Sequence, residues 1–329
     1  MITRPILSIC IPTFNRLNYL SELLENLLPQ AESNGVEVCV SDNNSNDGTN
    51  DFLINIEKKF QCLRFRVNLK NIGIDKNMLA VISMGEGRYI YPMGDDDILP
   101  KDCLRNILQE IEKGGDVVIL NGWHTNQFLD KEKLHLSSNI SGQTFTRIDE
   151  AFFTLWDKMP FGSFLASREC FSEEYSDRFI GTSHAYTGVV WEALANIEKN
   201  RGNCLIKCME EPTVLLRGGQ KSWRKDAALI ILYEIPYWLS LMVKTEAYSK
   251  IIPTIRSDYL KNQTNITSLI QLRLIGQLDI YEVHKLGREC TPRQVQKMKI
   301  VAIIPKAIIL FLVKTLVMSK AFVKKRLIK

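Results

Sequence analysis

The chain lacks the signatures of several common function classes. No G-x-G-x-x-G follows its first apolar run and no G-x-x-x-x-G-K-[ST] occurs, so a nicotinamide enzyme and a P-loop NTPase both fit poorly. Histidine is scarce, at positions 124, 135, 184 and 284 only. The eight cysteines (10, 39, 62, 103, 170, 204, 208, 290) are scattered through apolar runs. Only Cys204 and Cys208 lie close together, with no further Cys or His at metal-ligand spacing. That pattern reads as reduced structural thiols in a cytosolic protein rather than a disulfide framework or a zinc site. The opening "ITRPILSICIP" is too short an apolar run for a signal peptide, and nothing in the 329 residues is low-complexity.

What is present is a large apolar fraction, 45%, enough for one large domain or two ordinary ones. The net charge of +5 conceals an asymmetry. Of the 42 Lys/Arg and 37 Asp/Glu, 17 and 5 lie between Leu241 and Lys329, which leaves 25 and 32 in the preceding part. A basic tail on an acidic body implies that the two face different surroundings.

The first 120 residues alternate in period. "ILSICIP" (6–12), "VEVCVSD" (36–42), "LRFRVN" (63–68), "RYIYPM" (88–93) and "DVVIL" (116–120) read as strands. "NYLSELLENLL" (18–28) places Leu20, Leu23, Leu24, Leu27 and Leu28 at helical spacing. Helices are also expected within 45–60, over 74–84 and over about 101–112. Strands separated by helices of this length predict an α/β fold with a mostly parallel sheet. Ligands of such sheets bind outside the carboxyl ends of the strands. That rule gathers four polar clusters: Thr13 to Arg16, Asp42 to Asp47, Asn68 to Gly73 and Asp95 to Asp97.

The last cluster, "YPMGDDDILP", sets three carboxylates in a row. Their mutual repulsion needs compensation, and Mg²⁺ or Mn²⁺ suits such hard oxygen ligands. An acidic turn capping the next helix is the alternative.

"SICIPTFNR", "VCVSDNNSNDGT", "NIGIDKN" and "GDDDIL", in this order, resemble the family 2 glycosyltransferases of the GT-A fold. The resemblance is strong over about residues 1–120 and weaker to about 225. "FIGTSHAY" and "EPTVLLRGGQKSW" further resemble abequosyltransferase-like O-antigen transferases. It implies sugar transfer from a nucleoside diphosphate donor. Pro12 and Phe14 would bracket the base, Asp42 would accept a hydrogen bond from it, and Lys76 would lie near base and phosphates. The family's Asp-x-Asp-Asp reads here Gly94-Asp95-Asp96-Asp97, so the metal would go to Asp96, with Asp95 and Asp97 beside it. A metal would stabilise the departing diphosphate as a Lewis acid. Arg217 would add a fork-shaped clamp, and Gly218-Gly219 would suit a lid over the phosphates.

An inverting transfer needs one general base. The Glu-Asp pair usual in the family is missing from "SDRFIGTSHAYTGVVWEAL" (176–194), which leaves His184 and Asp177 as candidates. His184 as a helix cap is the plain alternative. Gly162 and Ser163 would line the sugar site. Trp156 is either a stacking platform or a core residue.

The tail 297–329 carries nine Lys/Arg and no acids. Its charge-free runs fall far short of the ~20 residues needed to span a bilayer. At helical spacing Lys299, Lys306, Lys314, Lys320 and Lys324 share one face, over about 297–326, with a kink expected at Pro305. A basic amphipathic helix of this kind lies on an anionic membrane surface. A core helix with lysines reaching outward is the alternative. Nucleic acid is excluded as a partner because the helix offers aliphatic rather than polar or aromatic readers.

The expected organisation is therefore a GT-A domain over 1–225, with a nucleotide-sugar half (1–120) and an acceptor half (121–225). A helical region over 226–329 follows. The expected role is a metal-dependent inverting glycosyltransferase of O-antigen or other surface-polysaccharide assembly. It would use a CDP-, UDP- or GDP-sugar, with a dideoxyhexose such as abequose implied by the closer resemblance. The implied acceptor is an undecaprenyl-diphosphate-linked oligosaccharide at the cytoplasmic face of a bacterial inner membrane. A nucleotidyltransferase, and a non-catalytic nucleotide-sugar-binding protein, are the competing readings.

Overall fold

The computed structural model describes residues 4–171, 174, 176–218 and 226–311. The chain divides into two compact units. The first is Met1–Lys221 together with Lys244–Ile251, and the second is Ser222–Val243 together with Ile252–Lys329. The sequence placed one boundary near 225. Two contacts tie the short return of 244–251 to the first unit. Thr245 Oγ1 donates to Glu192 Oε1 (2.8 Å), and the Tyr248 hydroxyl donates to the Trp191 carbonyl.

Among the described residues the first unit carries nine strands. They are β1 (Leu7–Thr13), β2 (Glu37–Asp42), β3 (Leu63–Val67), β4 (Tyr89–Pro92), β5 (Val117–Thr125), β6 (Lys131–Leu134), β7 (Thr144–Phe145), β8 (Phe164–Ser167) and β9 (Ile206–Arg217). They form one sheet in the order β3-β2-β1-β4-β8-β5-β9-β7, with β6 paired to β5. Pairing is parallel from β3 through β4 and between β5 and β9. β8 enters antiparallel between β4 and β5. All seven residues of β1 are buried, because helices cover both faces of a central parallel strand.

The helices of this unit are α1 (Leu17–Asn34), α2 (Thr49–Glu57), α3 (Ile74–Met84), α4 (Cys103–Glu112), α5 (Ile148–Leu155), α6 (Ser176–Phe179) and α7 (Ala185–Arg201). The leucines read from the sequence, Leu20, Leu23, Leu24, Leu27 and Leu28, form the buried stripe of α1. They pack with Leu53 of α2 and Leu104, Ile107 and Ile111 of α4 against Leu7, Ile9 and Ile11 of β1. Gly35 ends α1 at φ 63°, where a side chain would be strained.

The second unit is helical. Its core gathers Leu232, Leu269, Leu272, Leu278, Val283, Leu286, Met298, Val301 and Ala302. Part of the expected basic amphipathic helix is described, with its break at Pro305. Residues 297–303 belong to helix Pro292–Ile303, whose Met298, Val301 and Ala302 are part of that core. The helix stops at Ile304, which is extended (ψ 126°) ahead of Pro305, and a new helical stretch begins at 306. The proline's ring and missing N–H explain the break. Residues 312–329 of the predicted helix lie outside the described residues. Among the described residues no helix is long and apolar enough to cross a membrane. The eight cysteines are all free.

Candidate active site

The loops after β1 and β2 are stitched together by short polar side chains. Asn15, in the left-handed region at φ 53°, donates its N–H to Ser45 Oγ (2.8 Å), and its side-chain oxygen accepts from Asn46 N (2.9 Å). Asp47 accepts from Leu17 N (2.9 Å) and from Thr49 at the start of α2. Below them a buried polar chain ties β2, β3 and α3. Ser41 Oγ and Asn68 Nδ2 both donate to Asn77 Oδ1 (2.8 and 2.7 Å), and Asn68 also reaches Asn43. These bonds tie the carboxyl ends of β2 and β3 to α3 as one network.

Asp42 sits at the carboxyl end of β2 and is fully buried. Its Oδ1 accepts from Ser45 N and Oγ (3.1 and 2.5 Å). Its Oδ2 is buried with no hydrogen-bond partner. A buried carboxylate oxygen left unpaired is costly, and the cost disappears when a ligand N–H arrives. Nearby, Pro12 is buried within β1 and Phe14 just beyond it is 40% exposed. Lys76 is exposed on the first turn of α3.

The carboxylate triplet divides its work. Asp95 accepts from Thr13 Oγ1 (2.8 Å) and pairs with Arg16 Nε (3.0 Å). Asp96 pairs with Arg16 Nη2 (2.6 Å) and keeps 16% of its side chain exposed. Asp97 is buried and accepts from the backbone N–H of Arg217 (2.9 Å). Burial pushes the Asp95 carboxyl up to about 7, an effect that Arg16 partly offsets. The repulsion expected within the triplet is thus relieved by Arg16, a residue the sequence reading left unassigned. Asp97, expected beside the metal, has its carboxylate buried against the end of β9. The turn is tight: a Cβ at Gly94 would meet Asp97 Oδ2 at 2.9 Å and Asp96 Oδ1 at 3.2 Å. Glycine at 94 makes room for the folded-back carboxylates. Gly162 does the same from the other side, since a Cβ there would lie 2.3 Å from Asp97 Oδ2.

Arg217, expected as a phosphate clamp, is engaged within the protein. Its guanidinium donates to the Asp96 carbonyl (2.8 Å), the Gln127 carbonyl (3.0 Å) and Glu22 Oε2 (2.7 Å), and lies over the Tyr19 ring at 5.4 Å. Those bonds bracket α1, the triplet and the end of β9. A Cβ at Gly218 would lie 2.2 Å from the Thr125 carbonyl, which pins the chain there. Gly219, the other half of the expected lid, lies outside the described residues.

Later in the chain, His184 is the N-cap of α7. Its Nδ1 lies 3.0 Å from the Thr182 carbonyl, so Nδ1 carries the proton and Nε2 is the basic nitrogen. Burial lowers the imidazole's pKa, against an opposing effect from that carbonyl and from Asp75, so it is neutral at pH 7. Asp177 is exposed on the four-residue α6. Ser163, expected to line the sugar site, is fully buried and its hydroxyl donates to the Pro160 carbonyl (2.8 Å). Trp156 is half-buried at the C-terminus of α5.

Among the described residues no group of three or more His, Cys, Asp or Glu is gathered at metal-binding distance. The donor set fits a hard divalent cation all the same. Two carboxylates, Asp95 and Asp96, converge on one positive group, and Asp96 is the one open to a ligand.

Comparison with known proteins places the chain in a family. The family model described as Glycosyl transferase family 2 matches residues 8–172, half of the chain. The chain is 28% identical over 266 residues to the abequosyltransferase RfbV of Salmonella typhimurium, covering 75% of this chain and 77% of the relative. It is 25% identical over 179 residues to a GalNAc(5)-diNAcBac-PP-undecaprenol beta-1,3-glucosyltransferase of Campylobacter jejuni, covering 52% and 56%. The crystal structure of S. aureus TarS 1-349 in complex with UDP-GlcNAc superposes with a TM-score of 0.60 at 15% identity, covering 88% of this chain and 82% of that one. At that identity the likeness concerns the fold alone.

Proposed function

Because the chain belongs to glycosyl transferase family 2, and is therefore a glycosyltransferase, we propose that it transfers a sugar with inversion from a nucleoside diphosphate donor to a lipid-linked oligosaccharide, with the help of a divalent metal. The observation that carries this reading is the unpaired Oδ2 of Asp42, buried at the strand ends that also present Asp96. Uracil N3–H, the cytosine amino group and the guanine N1–H and amino group can each supply the missing donor. Phe14 and Pro12 flank that position, and Lys76 contributes a cation for the diphosphate.

Mn²⁺ or Mg²⁺ held by Asp96, with Asp95 beside it, would supply Lewis-acid stabilisation of the leaving diphosphate. Arg16 now occupies both carboxylates, so a metal enters in competition with that ion pair. His184, neutral and basic at Nε2, takes the proton from the acceptor hydroxyl as the bond to the sugar forms. The naming of the Salmonella relative as an abequosyltransferase supports a dideoxyhexose donor, and the undecaprenol in the name of the Campylobacter relative supports a lipid-linked acceptor.

Peripheral attachment to an anionic membrane belongs to the same proposal. Ile300, Ile303, Ile308, Leu310 and Phe311 are exposed among Lys299 and Lys306 in the second unit. This mixture of aliphatic and basic residues suits a lipid interface. Sedimentation of the full chain with anionic but not neutral vesicles is the expected result.

Asp96→Asn tests the reading directly. Transfer and metal-dependent donor hydrolysis should fall by about 10²–10³-fold, the usual loss when a key electrostatic group is removed. Full activity in Asp96→Asn with Mn²⁺ or Mg²⁺ present would contradict it.

A further inference from the structure

Asp75, on the first turn of α3, is a buried acid that no reading above employs; it is 5% exposed. Its Oδ2 accepts from the backbone N–H of Gly181 (2.8 Å), Thr182 (3.1 Å) and Ser183 (3.0 Å), and its Oδ1 accepts from Ala185 (3.1 Å). These amides form the turn that opens the 17-residue α7. The first N–H groups of a helix are usually satisfied by a neighbouring cap. Here the N-cap His184 makes no side-chain capping bond, and an acid from another helix takes its place. Four donors and the positive end of the α7 dipole stabilise the buried charge together.

The turn so held is not one that the chain adopts freely. Ser183 sits at φ 58°, in the left-handed region that side chains other than Gly, Asn and Asp rarely enter. Such a conformation persists where surrounding bonds over-determine it. Three consecutive amides, 181 to 183, point at one carboxylate oxygen, which supplies that constraint. The next links reach His184: the Thr182 carbonyl meets its Nδ1, the Thr182 hydroxyl accepts its backbone N–H (3.2 Å), and Thr187 Oγ1 donates to its carbonyl (2.9 Å). On the other side, Asp75 is the immediate neighbour of Lys76, and α3 follows the carboxyl end of β3.

We infer that Asp75 is a positioning residue for sugar transfer: it clamps the 181–185 turn to the start of α3 and so fixes the His184 imidazole relative to the donor side of the crevice. The inference rests on the reading of His184 as the base, and the test separates the two. The clamp orients the base without contacting donor or acceptor, so its loss should be felt in turnover and not in donor binding. Misplacing a catalytic group by about 1 Å can cost ~10²-fold in rate.

Asp75→Asn keeps the size of the side chain, removes its charge and turns an NH₂ toward one of the four backbone donors. Expected are a kcat lower by about 10- to 100-fold, a donor KM within about 2-fold of the unaltered enzyme and an Asp75→Asn/His184→Gln double variant no slower than His184→Gln alone. A kcat within about 2-fold of the unaltered enzyme would overturn the inference, as would losses that multiply in the double variant. Full activity in His184→Gln would remove the base assignment; a slow Asp75→Asn would then still support clamping of the turn. Amide hydrogen exchange on the unaltered protein needs no variant to fold. The N–H groups of residues 181, 182, 183 and 185 should exchange as slowly as those of the α3 core, and fast exchange would overturn the clamp.

Discussion

The proposed donor half, β1 to β4, and the proposed acceptor half, β5 to β9, hold their polar groups by different means. In the donor half, neighbouring strand-end loops secure one another: Asn15 with Ser45 and Asn46, Asp42 with Ser45, Asn43 with Asn68 and Ile72. In the acceptor half, the turn bearing His184 is secured by Asp75, and the end of β9 by Asp96, Asp97 and Glu22, all from the donor half. The strand-end loops of β1 to β4 are therefore held from within, whereas the later half borrows its geometry from them. Nucleotide binding should depend on the first half alone and turnover on the bonds between the two.

The largest effect that would break this comparison lies at His184. His184→Gln should reduce kcat by about 10²-fold or more, the ordinary contribution of a general base, while donor affinity stays constant. A weakened donor affinity with normal turnover would show that the acceptor half also shapes the nucleotide site.

Asp42→Ala should do the opposite. It removes the acceptor of the base contact, worth about 1–3 kcal/mol when lost from a buried site, so donor KM should rise by roughly tenfold or more with kcat little changed. Steady-state kinetics on the two variants side by side provide the check.

The smallest effect concerns stability. His135, on the segment after β6, donates from Nε2 to the Lys158 carbonyl (3.0 Å) and accepts at Nδ1 from His124 (3.2 Å). Burial depresses it from 6.5 to about 4. Between those values the unfolded chain binds a proton that the folded chain refuses. Stability is therefore full above about pH 6.5 and falls as pH drops toward 4, by at most on the order of 3 kcal/mol. His135→Gln should flatten this fall in denaturant titrations between pH 7 and 4. An unchanged slope would assign the acid sensitivity to other groups.

The contrast also explains what the sequence disclosed. Apolar runs ending in polar clusters marked β1 to β4 and the strand-end residues Asp42 and Asp96, because in a parallel sheet those signals lie within each βα unit. Arg16 was visible in "PTFNR" as a polar residue, yet its partners stand in the "GDDD" turn. The Thr13 contact to the same turn spans 82 residues. Arg217 looked like a free cation because Glu22, the acceptor that occupies it, precedes it by 195 residues. Asp75 passed unnoticed for the same reason, as its four amides lie 106 to 110 residues downstream. Pattern reading detects local periodicity, and a bond closed by tertiary folding leaves no periodic trace. The C-terminal helix shows a second limit. Its lysine face was legible, but the packing of Met298 and Val301 into a core was not, since an aliphatic face suits a lipid surface and a protein interior equally.

The central claim is that the crevice is a nucleotide site completed by a divalent metal. Calorimetric titration of CDP, UDP and GDP into the full chain, with and without Mn²⁺, tests it most directly. Binding of one of these nucleotides that requires Mn²⁺, and that Asp42→Ala weakens, is the predicted result. Absence of metal-dependent binding by all three would contradict the account and leave the Asp95–Asp96–Arg16 cluster as a structural ion pair.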